Sequence, residues 1–326
     1  MPTLVEMQHL KKYFTTPRGV VHAVDDVSMK VEKGNTMGIV GESGCGKTTL
    51  GRVLINMDRA TGGRIFFDGK DVTHLSQKEK RAFHERAQFI FQDPYSSLNP
   101  RMTVEETISE PFRYVSTRLN RKEIVNKTIH LMGMVGIAQR IRSSYPHELD
   151  GGRRQRVVIA RALALEPEFI VCDEPVSALD VSIQAQILNL LQDLQEEQHL
   201  TFIFITHDMS VVRHISDNIS VMYLGQVVET SPAKELFIKT WHPYTKALLS
   251  AIPTANIHSH KERILLKGEI TSPIDPKPGC RFAARCNYAG EKCRDAQILE
   301  EVAENHFVSC CRVHEINNLK EKKDGN

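Results

Sequence analysis

The run Gly41-Glu42-Ser43-Gly44-Cys45-Gly46-Lys47-Thr48 follows the spacing G-x-x-x-x-G-K-[ST]. Those residue types suit one chemistry. Glycines let backbone N–H groups close around a phosphate, and a helix opening at the end of the run adds its positive dipole end. Lys47 can then reach β and γ phosphates and the Thr48 hydroxyl can ligate Mg²⁺, with Thr49 in the same helical turn. A second group lies far downstream. The apolar run Phe169-Ile170-Val171-Cys172 leads into Asp173-Glu174, and Thr206-His207-Asp208 follows another apolar run. Carboxylates at the end of a buried parallel strand stand where α/β sheets bind their ligands. Asp173 is suited to hold Mg²⁺ through water, Glu174 to polarise the attacking water, and His207 to contact the γ-phosphate. Gln92, at the end of a further strand, is a candidate contact to Mg²⁺ and the water. Alone, an acidic pair at a strand end commonly faces solvent and a single histidine is more often structural. Their company with the phosphate loop predicts a nucleoside triphosphate site in which Lys47, Glu174 and His207 act on the phosphates.

The elements that must position these residues are legible in the hydrophobic pattern. Thr36–Val40 reads as a short buried strand before the loop, and residues 49–57 as a helix with Leu50, Val53, Leu54 and Met57 on one face. Residues 1–35 alternate in the manner of antiparallel strands, residues 62–72 read as strand and turn, and 88–92 as a strand stopped by Asp93-Pro94. From about residue 100 to 165 the pattern is mostly helical. Two buried strands, 169–172 and 201–205, flank a helix with Ile183, Ile187, Leu190, Leu191 and Leu194 on one face, which predicts a parallel sheet covered on both sides. Residues 219–228 read as a hairpin and 233–251 as one or two helices. Pro273, Pro276 and Pro278 then read as a linker to a small separate lobe rich in cysteine, with a polar tail disordered at its end.

Composition narrows the class. The 42 Lys and Arg against 40 Asp and Glu give no global electrostatic case for nucleic acid. No apolar leader is seen at the N-terminus and no run reaches the roughly 18 apolar residues of a membrane span, so a cytosolic protein is expected, touching a membrane through partners.

Six elements in this order resemble an ABC-transporter ATP-binding subunit over about residues 4–230: the phosphate loop, Gln92, Leu149-Asp150-Gly151-Gly152-Arg153-Arg154-Gln155-Arg156, Asp173-Glu174, Ser177-Ala178-Leu179-Asp180 and His207. The resemblance implies an ABC-type P-loop ATPase of α/β class, with a parallel sheet core, an antiparallel β subdomain and a helical subdomain at about residues 95–165. It divides the chain into residues 1–255 and a C-terminal extension, 256–326. Phe14 stands where the family stacks an aromatic ring on adenine, with Tyr13 as competitor. The stretches 91–100 and 173–182, together with His242-Pro243-Tyr244-Thr245, look like the oligopeptide/dipeptide importer subfamily, and the second stretch looks like its F-type subunit. That implies ATP and Mg²⁺, a paralogous ATPase as heterodimer partner, two transmembrane permeases, an extracellular solute-binding protein and a peripheral place on the cytoplasmic face of the membrane. Some close relatives import nickel. A soluble ABC-type ATPase acting on ribosomes is a second class, and a regulatory module that hydrolyses nothing a third, which Glu174 and His207 oppose.

Five of the seven cysteines crowd into the last fifth, spaced Cys280-x5-Cys286-x6-Cys293-x16-Cys310 with Cys311 adjacent. In a cytosolic chain this favours metal or iron–sulfur ligation over disulfides, but the spacing fits neither short zinc knuckles nor the common ferredoxin runs. The spacing leaves a metal site of uncertain type, or plain surface thiols. The subfamily resemblance implies a [4Fe–4S] cluster on Cys280, Cys286, Cys293 and Cys310. The chain also departs from the family's pattern: Leu149-Asp150-Gly151-Gly152-Arg153 stands where the family has Leu-Ser-Gly-Gly-Gln, the segment that reaches the partner's γ-phosphate. Ionised Asp150 can only accept hydrogen bonds there, and Arg153 can offset it.

Overall fold

In the computed structural model, which describes residues 2–114, 119–252, 263–268 and 272–321, two sheets enclose the phosphate loop. Strands β1 (Thr3–Thr16) and β2 (Gly19–Glu32) form a long hairpin. Next come β3 (Thr36–Val40), β4 (Gly62–Phe67), β5 (Lys70–Asp71), β6 (Ala87–Ile90), β7 (Phe169–Asp173), β8 (Thr201–Thr206), β9 (Asn218–Tyr223), β10 (Gln226–Pro232), β11 (Glu300–Ala303) and β12 (His306–Val308). The smaller sheet runs β2-β1-β4-β5 and its pairs are antiparallel. Its alternating apolar residues, among them Leu4, Val24, Val27 and Val31, pack into one core with Leu50, Val53 and Leu54 of helix α1 (Lys47–Leu54). The larger sheet runs β11-β12-β10-β9-β3-β8-β7-β6. Its centre is parallel, as the unbroken apolar runs predict, and β3, β7 and β8 are buried along their whole length.

Parallel pairing makes the strands end together. Val40 sits beside Thr206, Ile205 beside Asp173, and Cys172 beside Ile90. The segments leaving β3, β8, β7 and β6 therefore emerge on one edge. That edge carries the phosphate loop, His207, Glu174 and Gln92.

Helix α1 begins at Lys47 and stops at Leu54, short of the expected end, because Asn56 turns the chain at φ 59. Helix α2 (Gln77–Arg86) was not expected, although Ser76 and Glu79 spell a capping box and form one. The helical region holds α3 (Val104–Ser109), α4 (Arg121–Met134) and α5 (Gly151–Leu163), which share a core with α6 (Val181–Gln198).

The expected separate C-terminal lobe is corrected by the sheet. Strand β12 pairs with β10, Glu229 opposite Val308, and β11 forms the outer edge. A hairpin strand such as β10 leaves an edge of unpaired backbone groups, and β12 covers it. The pairing is locked from within: fully buried Glu229 accepts from Trp241 N–H, His242 N–H and His306 Nε2 at 2.8, 3.0 and 2.8 Å. After Cys311 the chain forms a helix, Val313–Glu321, which buries Val313 and Ile316, and the tail's end, expected to be disordered, lies outside the described residues. The expected division between residues 255 and 256 lies outside the described residues.

Candidate active site

A cleft of about 720 Å³ opens at that strand edge, lined by Phe14, the loop from Gly41 to Thr49, Gln92, Glu174 and His207. Such a volume suits a nucleotide-sized ligand. Two glycines of the loop are required by space. A Cβ on Gly46, at φ 104, would lie 1.9 Å from Ala23 O, and one on Gly41 would lie 2.2 Å from Met222 O. Buried Lys47 bends back over the loop, its Nζ donating to Gly41 O at 2.7 Å and Glu42 O at 3.0 Å. The ammonium is thus held against the carbonyls that open the loop.

Thr48 Oγ1 donates to Asp173 Oδ1 at 3.0 Å. Burial, only partly opposed by that bond, raises the Asp173 carboxyl above its ordinary value. Next along the chain, Glu174 takes a left-handed backbone, φ 45, unusual for a residue with a side chain and typical of places where function imposes strain. Its carboxylate accepts from Gln92 Nε2 at 3.0 Å and lies 3.1 Å from His207 Nδ1. Gln92, having spent its amide N–H₂ on Glu174, keeps its carbonyl oxygen for a cation. Thr48, Asp173 and Gln92 thus offer hard oxygen donors suited to Mg²⁺.

The aromatic alternatives separate cleanly. Phe14 faces the cleft, with Lys12 Nζ 4.7 Å from its ring centroid. Tyr13 is turned away: its hydroxyl donates to Asp25 and its ring stacks on His22 at 4.0 Å. His22, Leu248, Gly225 and Pro273 also line the cleft and were not anticipated. No local sequence signal marks them, since they come from distant parts of the chain.

Asp150, Gly151, Gly152 and Arg153 lie elsewhere, at the start of α5. Asp150 is the N-cap, accepting from Arg153 N–H at 2.7 Å, and its other oxygen lies 3.4 Å from Arg153 Nε. The C-terminal cysteines gather together, each of Cys280, Cys286 and Cys310 within electrostatic reach of Cys293. Burial pushes Cys280 up to about 12 and Cys310 up to about 11. Cys293 Sγ is 4.0 Å from Cys311 Sγ. Among the described residues no three His, Cys, Asp or Glu side chains close around a single metal ion. Thiols near one another are the donor type that soft metal ions and iron–sulfur clusters take.

Among the described residues no helix is long and apolar enough to cross a membrane. Residues 24–177 match the ABC transporter family, and residues 228–293 match the family described as oligopeptide/dipeptide transporter, C-terminal region. The oligopeptide transport ATP-binding protein AppF of Bacillus subtilis is 48% identical over 320 residues, spanning 94% of this chain and 97% of that one. The oligopeptide transport ATP-binding protein OppF of Salmonella typhimurium is 48% identical over 305 residues, spanning 93% and 91%. Among solved structures, the dimeric post-hydrolysis state of the ATP-binding cassette MJ0796 bound to ADP and Pi superposes with a TM-score of 0.65 at 28% identity, covering 71% of this chain and 99% of that chain. With Gln92, Glu174 and His207 gathered beside the phosphate loop and similarity along nearly its whole length, the chain belongs to the family of ATP-binding proteins of oligopeptide/dipeptide ABC transporters, and it is an ATPase.

Proposed function

We propose that this ATPase drives uptake of oligopeptides or dipeptides through a pair of partner permeases, peripherally on the cytoplasmic face of the membrane. The observation that carries the reading is the match over residues 228–293 to a region described for oligopeptide/dipeptide transporters, on a chain that also matches the ABC transporter family over residues 24–177. Nickel import and a soluble ATPase acting on ribosomes are not favoured by relatives that are oligopeptide transport proteins along nearly their whole length. In this reading residues 1–255 are the nucleotide-binding domain and 256–326 an importer-type extension. The chain pairs with a paralogous ATPase, and a solute-binding protein delivers the peptide from outside.

The residues then take these roles. Phe14 stacks on adenine, and the N–H groups of Gly41 to Thr49 hold the phosphates. Lys47 exchanges its two loop carbonyls for phosphate oxygens, a charge-assisted bond about twice as strong as a neutral one. Glu174, aimed by Gln92 and His207, polarises the attacking water, and His207 contacts the γ-phosphate. Thr48, Gln92 and Asp173 would hold Mg²⁺, which when bound neutralises charge developing on the phosphate oxygens. Asp150, Gly151, Gly152 and Arg153 face the partner's ATP. Cys280, Cys286, Cys293 and Cys310 hold a [4Fe–4S] cluster.

Two experiments test this. In the assembled transporter, Glu174→Gln should leave ATP bound and lower phosphate release by about 10²–10⁴-fold, the range a positioned base contributes, with peptide uptake lost in parallel. Release at the wild-type rate would remove Glu174 from the role. Protein purified without oxygen should contain iron and acid-labile sulfide. One equivalent of zinc with no sulfide would reject the cluster.

A further inference from the structure

The C-terminal segment reaches the phosphate loop through one side chain. Arg285 sits at the end of a single helical turn, Ala283–Arg285, carried on buried Phe282. The Phe282 ring is wedged against Tyr223 and Tyr244, both centroids 5.3 Å away. From there the two terminal nitrogens of Arg285 donate to the two carboxylate oxygens of Glu42, at 2.6 and 3.1 Å. The Arg285 side chain is 8% exposed and that of Glu42 25%. Two parallel bonds fix direction as well as distance, so this pair sets an orientation rather than merely supplying attraction.

What is oriented is the second residue of the phosphate loop. The Glu42 carbonyl is one of the two acceptors of Lys47 Nζ, and its N–H donates to the buried Tyr244 hydroxyl at 3.0 Å. Glu42 is therefore held at its side chain and at its N–H from two places well outside the loop, while its carbonyl positions Lys47. A glycine-rich loop has many backbone conformations to lose, and holding it ready before ATP arrives removes that cost from binding.

We propose that Arg285 is a positioning residue for ATP, pre-setting the phosphate loop by gripping Glu42 across 243 residues of sequence. The assignment rests on the reading of Gly41 to Thr48 as the triphosphate cradle. It also gives the C-terminal segment a part in nucleotide binding: Arg281 and Arg285 lie immediately inside Cys280 and Cys286, so the backbone that carries the thiols carries the clamp.

The test measures Mg·ATP affinity calorimetrically on the full chain, and KM and kcat in the assembled transporter. Arg285→Gln should weaken ATP binding and raise KM by about tenfold, with kcat within about twofold, because the clamp acts before chemistry. Arg285→Lys, which keeps the charge but not the fork, should recover only part of the loss. Glu42→Gln, at the more exposed end, should reproduce the affinity loss, and the double variant should be no worse than the singles. Affinity within about twofold of wild type in Glu42→Gln would overturn the proposal, even where Arg285→Gln fails to fold. So would losses that multiply in the double variant. Lys47→Ala serves as the separate control: if it binds ATP normally, the cradle reading itself falls, whereas normal binding by the Glu42 and Arg285 variants beside a defective Lys47→Ala rejects the clamp alone.

Discussion

Asp173 shows at the residue scale how the site is kept ready at the expense of stability. The residue is 4% exposed, and burial raises its carboxyl pKa. A raised acid binds protons more readily in the folded than in the unfolded chain, so its contribution favours folding at low pH and is lost as pH rises through the raised pKa. At neutral pH the charge therefore strains the nucleotide-free protein. Asp173→Asn keeps an oxygen for the Thr48 hydroxyl and removes the charge. We expect it to be stabilised by about 1 kcal/mol, near 2 °C in melting temperature, while hydrolysis falls. A melting temperature below wild type in nucleotide-free protein would show that the carboxylate is not under strain.

Helix α5 sets the terms at the scale of an element. Asp150 caps it and also stands at its first turn in the segment proposed to face a partner's γ-phosphate. The cap is favourable for the helix, since a carboxylate suits a positive helix end. For a phosphate it is not: two anions about 4 Å apart repel by roughly 1–4 kcal/mol, depending on screening. Arg153, pairing at 3.4 Å, offsets part of this, but both side chains are more than half exposed and the pair is correspondingly weak. The proposed dimer should thus have one competent site, holding Lys47, Glu174 and His207, and one slow site using Asp150. Asp150→Ser preserves a capping oxygen and supplies a donor. In a complex silenced by Glu174→Gln, adding Asp150→Ser should raise ATP turnover about tenfold or more, equivalent to about 1.4 kcal/mol. Unchanged turnover would mean that Arg153 already neutralises the carboxylate.

Over the whole molecule, the C-terminal segment is fastened to the ATPase core at Glu229 and His242. His242 caps the helix Pro243–Ser250 by accepting from Tyr244 N–H at 3.1 Å, which requires an unprotonated Nδ1. Burial pushes its pKa down to about 4, with Glu229 raising and Lys246 lowering it to lesser degrees. A depressed histidine binds its proton more weakly in the folded chain, so stability is full above the ordinary value of 6.5 and is lost as pH falls towards 4. The slope reaches about 1.4 kcal/mol per pH unit in that window. His242→Asn keeps a capping side chain and cannot titrate. Melting curves between pH 6.5 and 4 should be markedly flatter for the variant; parallel curves would place the acid sensitivity elsewhere.

The chemistry and most strands of this protein are determined locally. Glycine spacing, a lysine and threonine at a helix start, apolar runs ending in Asp173 and Thr206, and alternation in β1 and β2 are all properties of short stretches. Parallel pairing then follows from the apolar runs, and with it the alignment of four strand ends. Helix α2 was also written locally, in its Ser76 and Glu79 capping box, but its few apolar residues gave it no clear stripe. What only the tertiary structure decided concerns partners far apart in sequence. Phe14 and Tyr13 are chemically near-equivalent neighbours, and it is Asp25 that draws Tyr13 away from the cleft. The cysteine-rich end reads as a detached lobe because proline-rich composition resembles a linker. It is instead part of the sheet, because β10 has an open edge and Glu229 needs donors that His306, Trp241 and His242 supply. Arg285 is set against Glu42 only by folding, since a single long-range pair leaves no periodicity and no motif in the chain.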